Sequence, residues 1–302
     1  MQADAFHRGE FMATSIARRS LMIATALAAL PKLPQAAETG APKPIIVIGA
    51  TARSADDLIP QALWRGHWVV AVARRPQRIR YQNHPRLKLV KADVYDVDDM
   101  AKAFSGRGDE VVISVFGPRI DPNDEIPETD LMSKGTENVI GLMKKNGNKR
   151  LFVTSSAAVE TVAGLGYTPT TPRPAGLTLA NGLWYYNMRG PYNDMGKMEK
   201  IALASGLKAV VLRPGQLMVE PPRGDLRVKL DGDSPDRRLI TYPDFAAMIL
   251  DNLENDAFVG HIVNAYSDRE MTLGENVDLN AELAKMRATL NQVKEDLAAE
   301  KR

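Results

Sequence analysis

A run of β-branched residues, Ile45-Ile46-Val47-Ile48, stops directly on Gly49-Ala50-Thr51, and a helix-forming stretch from Ser54 to Arg65 follows. An apolar run without polar alternation is the mark of a strand buried on both faces. The same unit then recurs along the chain. Gly66 ends the first helix, and Trp68-Val69-Val70-Ala71-Val72, Leu87-Lys88-Leu89-Val90 and Val111-Val112-Ile113-Ser114-Val115 read as the next strands. Helical segments are expected over Val94–Phe104 and Thr129–Lys145, the latter closed by Gly147. Leu151-Phe152-Val153-Thr154, Ala209-Val210-Val211-Leu212 and His261–Ala265 complete the strands, with helices at Tyr192–Ala204 and Pro243–Leu253. Strands alternating with helices make βαβ units and a parallel sheet.

Right-handed crossovers leave an α/β fold, a Rossmann-type doubly wound sheet over residues 44–270, as the expected architecture. Flanking it are an N-terminal signal segment and a C-terminal amphipathic helix. The chain has 302 residues, 44% of them apolar, enough for a sizeable core. A net charge of +2 gives no case for a nucleic-acid partner. The absence of cysteine excludes disulfides and thiolate catalysis. The histidines, His7, His67, His84 and His261, have no metal-ligand spacing, so no metal site is expected. No apolar run is long enough for a stable membrane span.

The turn Gly49-Ala50-Thr51-Ala52-Arg53-Ser54 lies where such a fold brings backbone N–H groups to a pyrophosphate. It resembles the Gly-Ala-Thr-Gly-x-x-Gly turn of the atypical short-chain dehydrogenase/reductase superfamily, in the branch of NAD(P)H-binding, NmrA-like and biliverdin reductase B-like (flavin reductase) proteins. Ala52 and Ala55 replace two of its glycines. A methyl group at Ala52 can block a phosphate. Asp56 and Asp57 suit a helix N-terminus but repel a pyrophosphate, and Pro60 leads one to expect a kinked or short helix.

The resemblance continues through Lys134-Gly135-Thr136-Glu137-Asn138, Arg150–Ser156, Ser205-Gly206-Leu207, Leu212-Arg213-Pro214-Gly215 and Ile240–Ala246. An arginine after the second strand, in place of an acid, accommodates a 2′-phosphate. Arg74, with Arg75 and Arg53 nearby, therefore points to NADP over NAD. The resemblance further implies that Asp93 and Val94 flank adenine, that Phe116 and Gly117 lie along the pyrophosphate and ribose, and that Pro214 and Gly215 line the nicotinamide.

Many members carry a Tyr-x-x-x-Lys proton relay. In register with Glu199 that pair falls at Pro191 and Met195, so it is absent. Ser155 and Ser156 remain as candidate catalytic hydroxyls, able to bond the nicotinamide amide or a substrate carbonyl. Trp184, Tyr185 and Tyr192 are candidate substrate contacts for a planar small molecule such as a flavin or quinone. Three readings stay open: an NAD(P)H-dependent reductase, a non-catalytic NADP sensor of NmrA-like type, and an interaction protein.

Residues 1–37 read as a twin-arginine signal peptide and linker. Arg18-Arg19 precede the apolar run Leu21–Leu30, followed by Leu33-Pro34-Gln35-Ala36-Ala37. The expected destination is the periplasm, or the cytoplasm if the segment is not a signal. Over 275–302, Leu279, Leu283, Met286, Leu290, Val293 and Leu297 form a heptad seam, which either joins copies into a homo-oligomer as a coiled coil or packs on its own domain.

Overall fold

The computed structural model describes residues 41–118, 125–178, 182–233 and 238–269. The expected signal segment at 1–37 and heptad helix at 275–302 lie outside them.

The strands of the central sheet are β1 (Pro44–Ile48), β2 (Trp68–Ala73), β3 (Leu87–Lys91), β4 (Val111–Ser114), β5 (Arg150–Thr154), β6 (Lys208–Pro214), β8 (Leu226–Leu230) and β10 (Ile262–Ser267). They lie in the order β3-β2-β1-β4-β5-β6-β10-β8. All pairings are parallel except β10 with β8, where Ala265 faces Val228. The chain builds outward from β1 to β3 and then crosses back to β4. Ile46 is therefore paired with Val70 on one side and Val112 on the other. This places the topological switch, where such sheets bind ligands, at the carboxyl ends of β1 and β4.

Alternate residues of each strand feed two separate cores. Ile45, Val47, Ile113, Phe152 and Leu212 pack on one face with Leu58 and Ile59 of α1 (Ala55–Trp64) and Phe245, Met248 and Ile249 of α7 (Tyr242–Asp251). On the other face Ile46, Ile48, Val112, Val153 and Val211 meet α3 (Leu131–Asn146) and α6 (Arg189–Leu203), through Met132, Val139, Met143, Met195 and Met198. Burial on both sides explains the uninterrupted apolar strands.

Several local expectations are corrected. The helix expected over Val94–Phe104 shrinks to α2 (Val97–Ala101), because the Asp93 and Asp96 carboxylates accept from Tyr95 N and Asp99 N and fold the approach into turns. Pro60 lies inside α1 without ending it. Leu58, Ile59, Ala62 and Leu63 are buried against the sheet, and that packing outweighs one lost backbone bond. The chain also forms α4 (Ala158–Gly164), α5 (Leu183–Asn187) and a small parallel pair, β7 (Gln216–Met218) with β9 (Leu239–Thr241). Edge strand β8 carries Arg227 and Lys229, charges that discourage pairing with another sheet.

Asp194 is fully buried on α6. It accepts Met132 N at 2.7 Å and Ser133 N at 3.3 Å, capping α3 from another helix. Asp130, at the N-cap position itself, makes no side-chain cap bond. No helix among the described residues is long and apolar enough to cross a membrane.

Candidate functional site

The crevice at the switch is shaped by Gly49. Its backbone is left-handed, at φ +86°, and a Cβ built there falls 2.5 Å from Phe116 N. The ends of β1 and β4 therefore approach as closely as backbone allows, and only glycine fits between them. Gly49 N and Ala50 N both donate to Val72 O, at 3.0 and 2.9 Å, and Ala52 N returns to Gly49 O at 2.8 Å. The amides of Thr51, Arg53 and Ser54, which open α1, donate to no acceptor among the described residues, and neither do those of Phe116 and Gly117. Unspent N–H groups at a helix N-terminus, with the helix dipole behind them, form a cradle for an anion.

Neither obstacle read from the sequence stands in this cradle. Ala52 is half-buried and packs against the α1-side core, and Ala55 is buried there. The methyl groups are spent on the floor of the turn. Asp57 is bound by Arg53 at 2.9 Å, and Asp56 lies 3.7 Å from the same guanidinium. Arg53 also stacks over the Tyr242 ring, 4.6 Å from its centroid. The arginine offsets the acidic first turn and is itself held from two sides. The residues present thus fit a dinucleotide's pyrophosphate.

The remaining cofactor candidates line the same rim. Arg74 is exposed and sits 4.0 Å from Asp93, and Arg75 is exposed beside it. Val94 lends its carbonyl to Asn138 Nδ2 at 2.9 Å. Phe116 is buried with its ring on Gly135 of α3, where a Cβ would lie 2.7 Å from Cζ. Gly117 is exposed beside it. Pro214 ends β6, and Gly215 N bonds Ala265 O at 2.8 Å. At Gly215 a Cβ would strike Arg238 O at 2.4 Å, so the backbone here too is tightly placed.

The two candidate serines differ. Ser155 is buried and donates its hydroxyl to Glu199 at 2.5 Å. Glu199 in turn receives Arg213 Nε at 2.7 Å and Nη2 at 2.6 Å, and Arg213 Nη1 also reaches Glu160. Burial opposes the charge on Arg213, but the two carboxylates outweigh it and hold the guanidinium above its ordinary value. In this arrangement the Ser155 hydroxyl hydrogen is engaged by Glu199. Ser156 is half-buried, and its hydroxyl accepts Ala158 N at 3.2 Å while keeping its own proton.

Trp184 and Tyr192 meet directly: the indole Nε1 donates to the Tyr192 hydroxyl at 3.0 Å. Tyr185 lies beside them, its ring 6.5 Å from that of Tyr192. Tyr192 is 7% exposed, and burial pushes its phenol up to about 12. Lys197 is exposed, and the register positions Pro191 and Met195 are buried. Among the described residues no lysine is bonded to Tyr192.

The Ser155–Glu199–Arg213–Glu160 chain and the Asp194 cap were not foreseen as part of the site. The available signal was Arg213 itself. A charge closing an apolar strand needs a buried acid.

A family model for NAD(P)H-binding proteins matches residues 49–256, more than half of the chain. Anthocyanidin reductase of Arabidopsis thaliana is 33% identical over 137 residues, covering 42% of this chain and 39% of that protein. The curated relatives are matched over less than two thirds of their own length. Among solved structures, an anaerobillin reductase from Escherichia coli O157:H7 superposes with a TM-score of 0.60 at 17% identity, covering 76% of this chain and 99% of that one. A short-chain dehydrogenase/reductase from Veillonella parvula, solved in complex with NADP, gives 0.56 at 14% identity and covers 76% and 96%. Those likenesses establish the fold, and with the family match the conclusion is that this chain belongs to the NAD(P)H-binding family.

Proposed function

We propose that the protein is an NADPH-dependent reductase of a planar small-molecule acceptor. The observation that carries this reading is the set of unspent amides at Thr51, Arg53 and Ser54, with those of Phe116 and Gly117 next to them where Gly49 lets the ends of β1 and β4 meet. A bound nicotinamide supplies the hydride. The chain's own residues bind and orient. The amides hold the diphosphate, Asp93 and Val94 flank the adenine, and Pro214 and Gly215 back the nicotinamide. Arg74 and Arg75 support NADP over NAD, because exposed guanidinium groups after β2 match a 2′-phosphate. Arg53 contributes less to that choice, since Asp57 and Tyr242 already engage it. Trp184, Tyr185 and Tyr192 offer an aromatic wall for a flat acceptor.

Calorimetry with NADPH and NADH on the purified protein tests the reading. NADPH is expected to bind more tightly, and Arg74→Ala to weaken NADPH by roughly 10- to 100-fold while leaving NADH within about threefold. Equal affinity for the two cofactors in the wild type removes the NADP assignment. Absence of binding to either removes the reductase reading altogether.

A second reading, a non-catalytic NADP sensor, is favoured by the missing Tyr–Lys pair, with Met195 at the lysine position. Binding without turnover of any acceptor selects it. Export and oligomerisation belong to the same proposal and rest on the sequence. Changing Arg18 and Arg19 to Lys in a reporter fusion is expected to abolish export, and deleting 275–302 to lower the solution mass to that of a monomer.

A further inference from the structure

Reduction of a carbonyl needs a proton as well as a hydride, and the usual Tyr–Lys donor is absent. Helix α6 carries a tyrosine one residue past the absent position. Tyr192, Gly196 and Glu199 recur along it at helical spacing and share one stripe. A Cβ on Gly196 would touch Val159 of α4 at 3.4 Å, and Glu199 holds Ser155 at the end of β5. That stripe therefore faces the β5–α4 turn, whose Ala157 N reaches Pro214 O at 3.4 Å, on the side where the proposed function puts the nicotinamide. Tyr192 stands at its N-terminal end.

The hydroxyl of Tyr192 is fixed but not exhausted. It accepts the Trp184 indole N–H at 3.0 Å, and because the indole only donates, the hydroxyl's own hydrogen must point elsewhere. That hydrogen meets no acceptor among the described residues, although the side chain is 7% exposed. Buried hydroxyl groups ordinarily find an acceptor. Ser155, by contrast, already donates its hydroxyl hydrogen bond to Glu199.

We propose that Tyr192, oriented by Trp184, is the group that donates a hydrogen bond and then a proton to the carbonyl oxygen of the acceptor. This rests on the reductase reading above. Hydride from bound NADPH goes to the carbonyl carbon, and the C=O π pair moves to oxygen. The Tyr192 O–H bond breaks to give the alcohol, and water reprotonates the phenolate. NADPH is oxidised and the carbonyl reduced. Burial raises the phenol to about 12, so it carries its proton, and the Trp184 N–H on its oxygen partly offsets that rise by stabilising the phenolate left after transfer.

The test uses 9,10-phenanthrenequinone, a planar dicarbonyl probe, with the full-length protein. In the non-reacting complex with NADP⁺, infrared spectroscopy is expected to show the bound carbonyl stretch lowered in the wild type and unshifted in Tyr192→Phe. Turnover with NADPH is expected to fall about 100-fold in Tyr192→Phe and less in Trp184→Phe. NADPH affinity should stay within about threefold, and melting should show both variants folded. A Tyr192→Phe protein that keeps wild-type turnover and carbonyl frequency overturns the proposal. So does a wild type that binds NADPH but neither shifts nor reduces the quinone. Failure to bind NADPH at all would instead strike the reductase reading itself.

Discussion

Replacing Gly49 by alanine is the sharpest probe of the crevice. The glycine holds φ at +86°, and the left-handed region costs an alanine roughly 1–2 kcal/mol. The added Cβ would sit 2.5 Å from Phe116 N and 2.6 Å from its Cα, against ordinary contact from 3.4 Å outward. Both obstacles are backbone, so β1 and the start of the β4 loop must separate by nearly an ångström. Overpacking of that kind adds about 1–3 kcal/mol. The expected total is about 2–5 kcal/mol, a fall in melting temperature of about 5–15 °C for a domain of this size. The same separation misplaces the amides at Thr51 and Phe116, and NADPH affinity should drop roughly tenfold or more. Thermal melting and calorimetry measure the two effects separately. Ala52→Gly is the control: its methyl packs into the core, so removing it should cost roughly 1–2 kcal/mol of stability and leave affinity within about threefold. If Gly49→Ala melts within about 2 °C of wild type and binds NADPH equally, the close approach of the two strand ends is not what shapes the site.

Three further outcomes follow from buried polar groups. Glu199→Ala leaves the Arg213 guanidinium with Glu160 alone among these acids and should destabilise by about 3–5 kcal/mol in denaturant titration; a loss under about 1 kcal/mol would mean the buried pair is not compensated as drawn. Asp194→Ala strips the cap from Met132 N and Ser133 N, and a loss of about 1–3 kcal/mol is expected, with proteolysis rising at the start of α3. His67 is held below its ordinary value by burial, with its ring Nδ1 accepting Lys43 N at 2.9 Å. The unfolded chain then binds the proton more readily than the folded one, so this contribution is complete above about pH 6.5 and is lost as pH falls from there toward the folded value. His67→Gln should flatten that part of the melting profile, and an unchanged slope would show that another group titrates.

Much of the fold was legible because its causes are local. Strands buried on both faces must be almost wholly apolar, and Ile45–Ile48, Val111–Ile113 and Ala209–Leu212 are. Gly49 after the first strand and Arg74 after the second were readable as a turn and a rim charge because backbone freedom and charge belong to single residues. The antiparallel β8 was not readable: Leu226–Leu230 is mostly exposed at an edge, so no burial pattern marks it. Nor was the short α2, where aspartate side chains compete for backbone amides that propensity assigns to a helix.

At the site the division is sharper. The residue order alone determined a parallel α/β sheet, a glycine turn at Gly49–Ser54 opening the first helix and the loss of the Tyr–Lys pair. Whether the methyl of Ala52 blocks the crevice or lines the core depends on which side of the turn it faces, and only packing against α1 decided that. The same holds for Asp57, neutralised by Arg53, for Ser155, whose proton goes to an acid 44 residues away, and for Tyr192, bound to an indole on the preceding helix. A side chain's type is written in the chain, but the partner that consumes or frees its proton is brought by the fold. Hydrogen bonds act over about 3 Å and take no account of distance along the sequence.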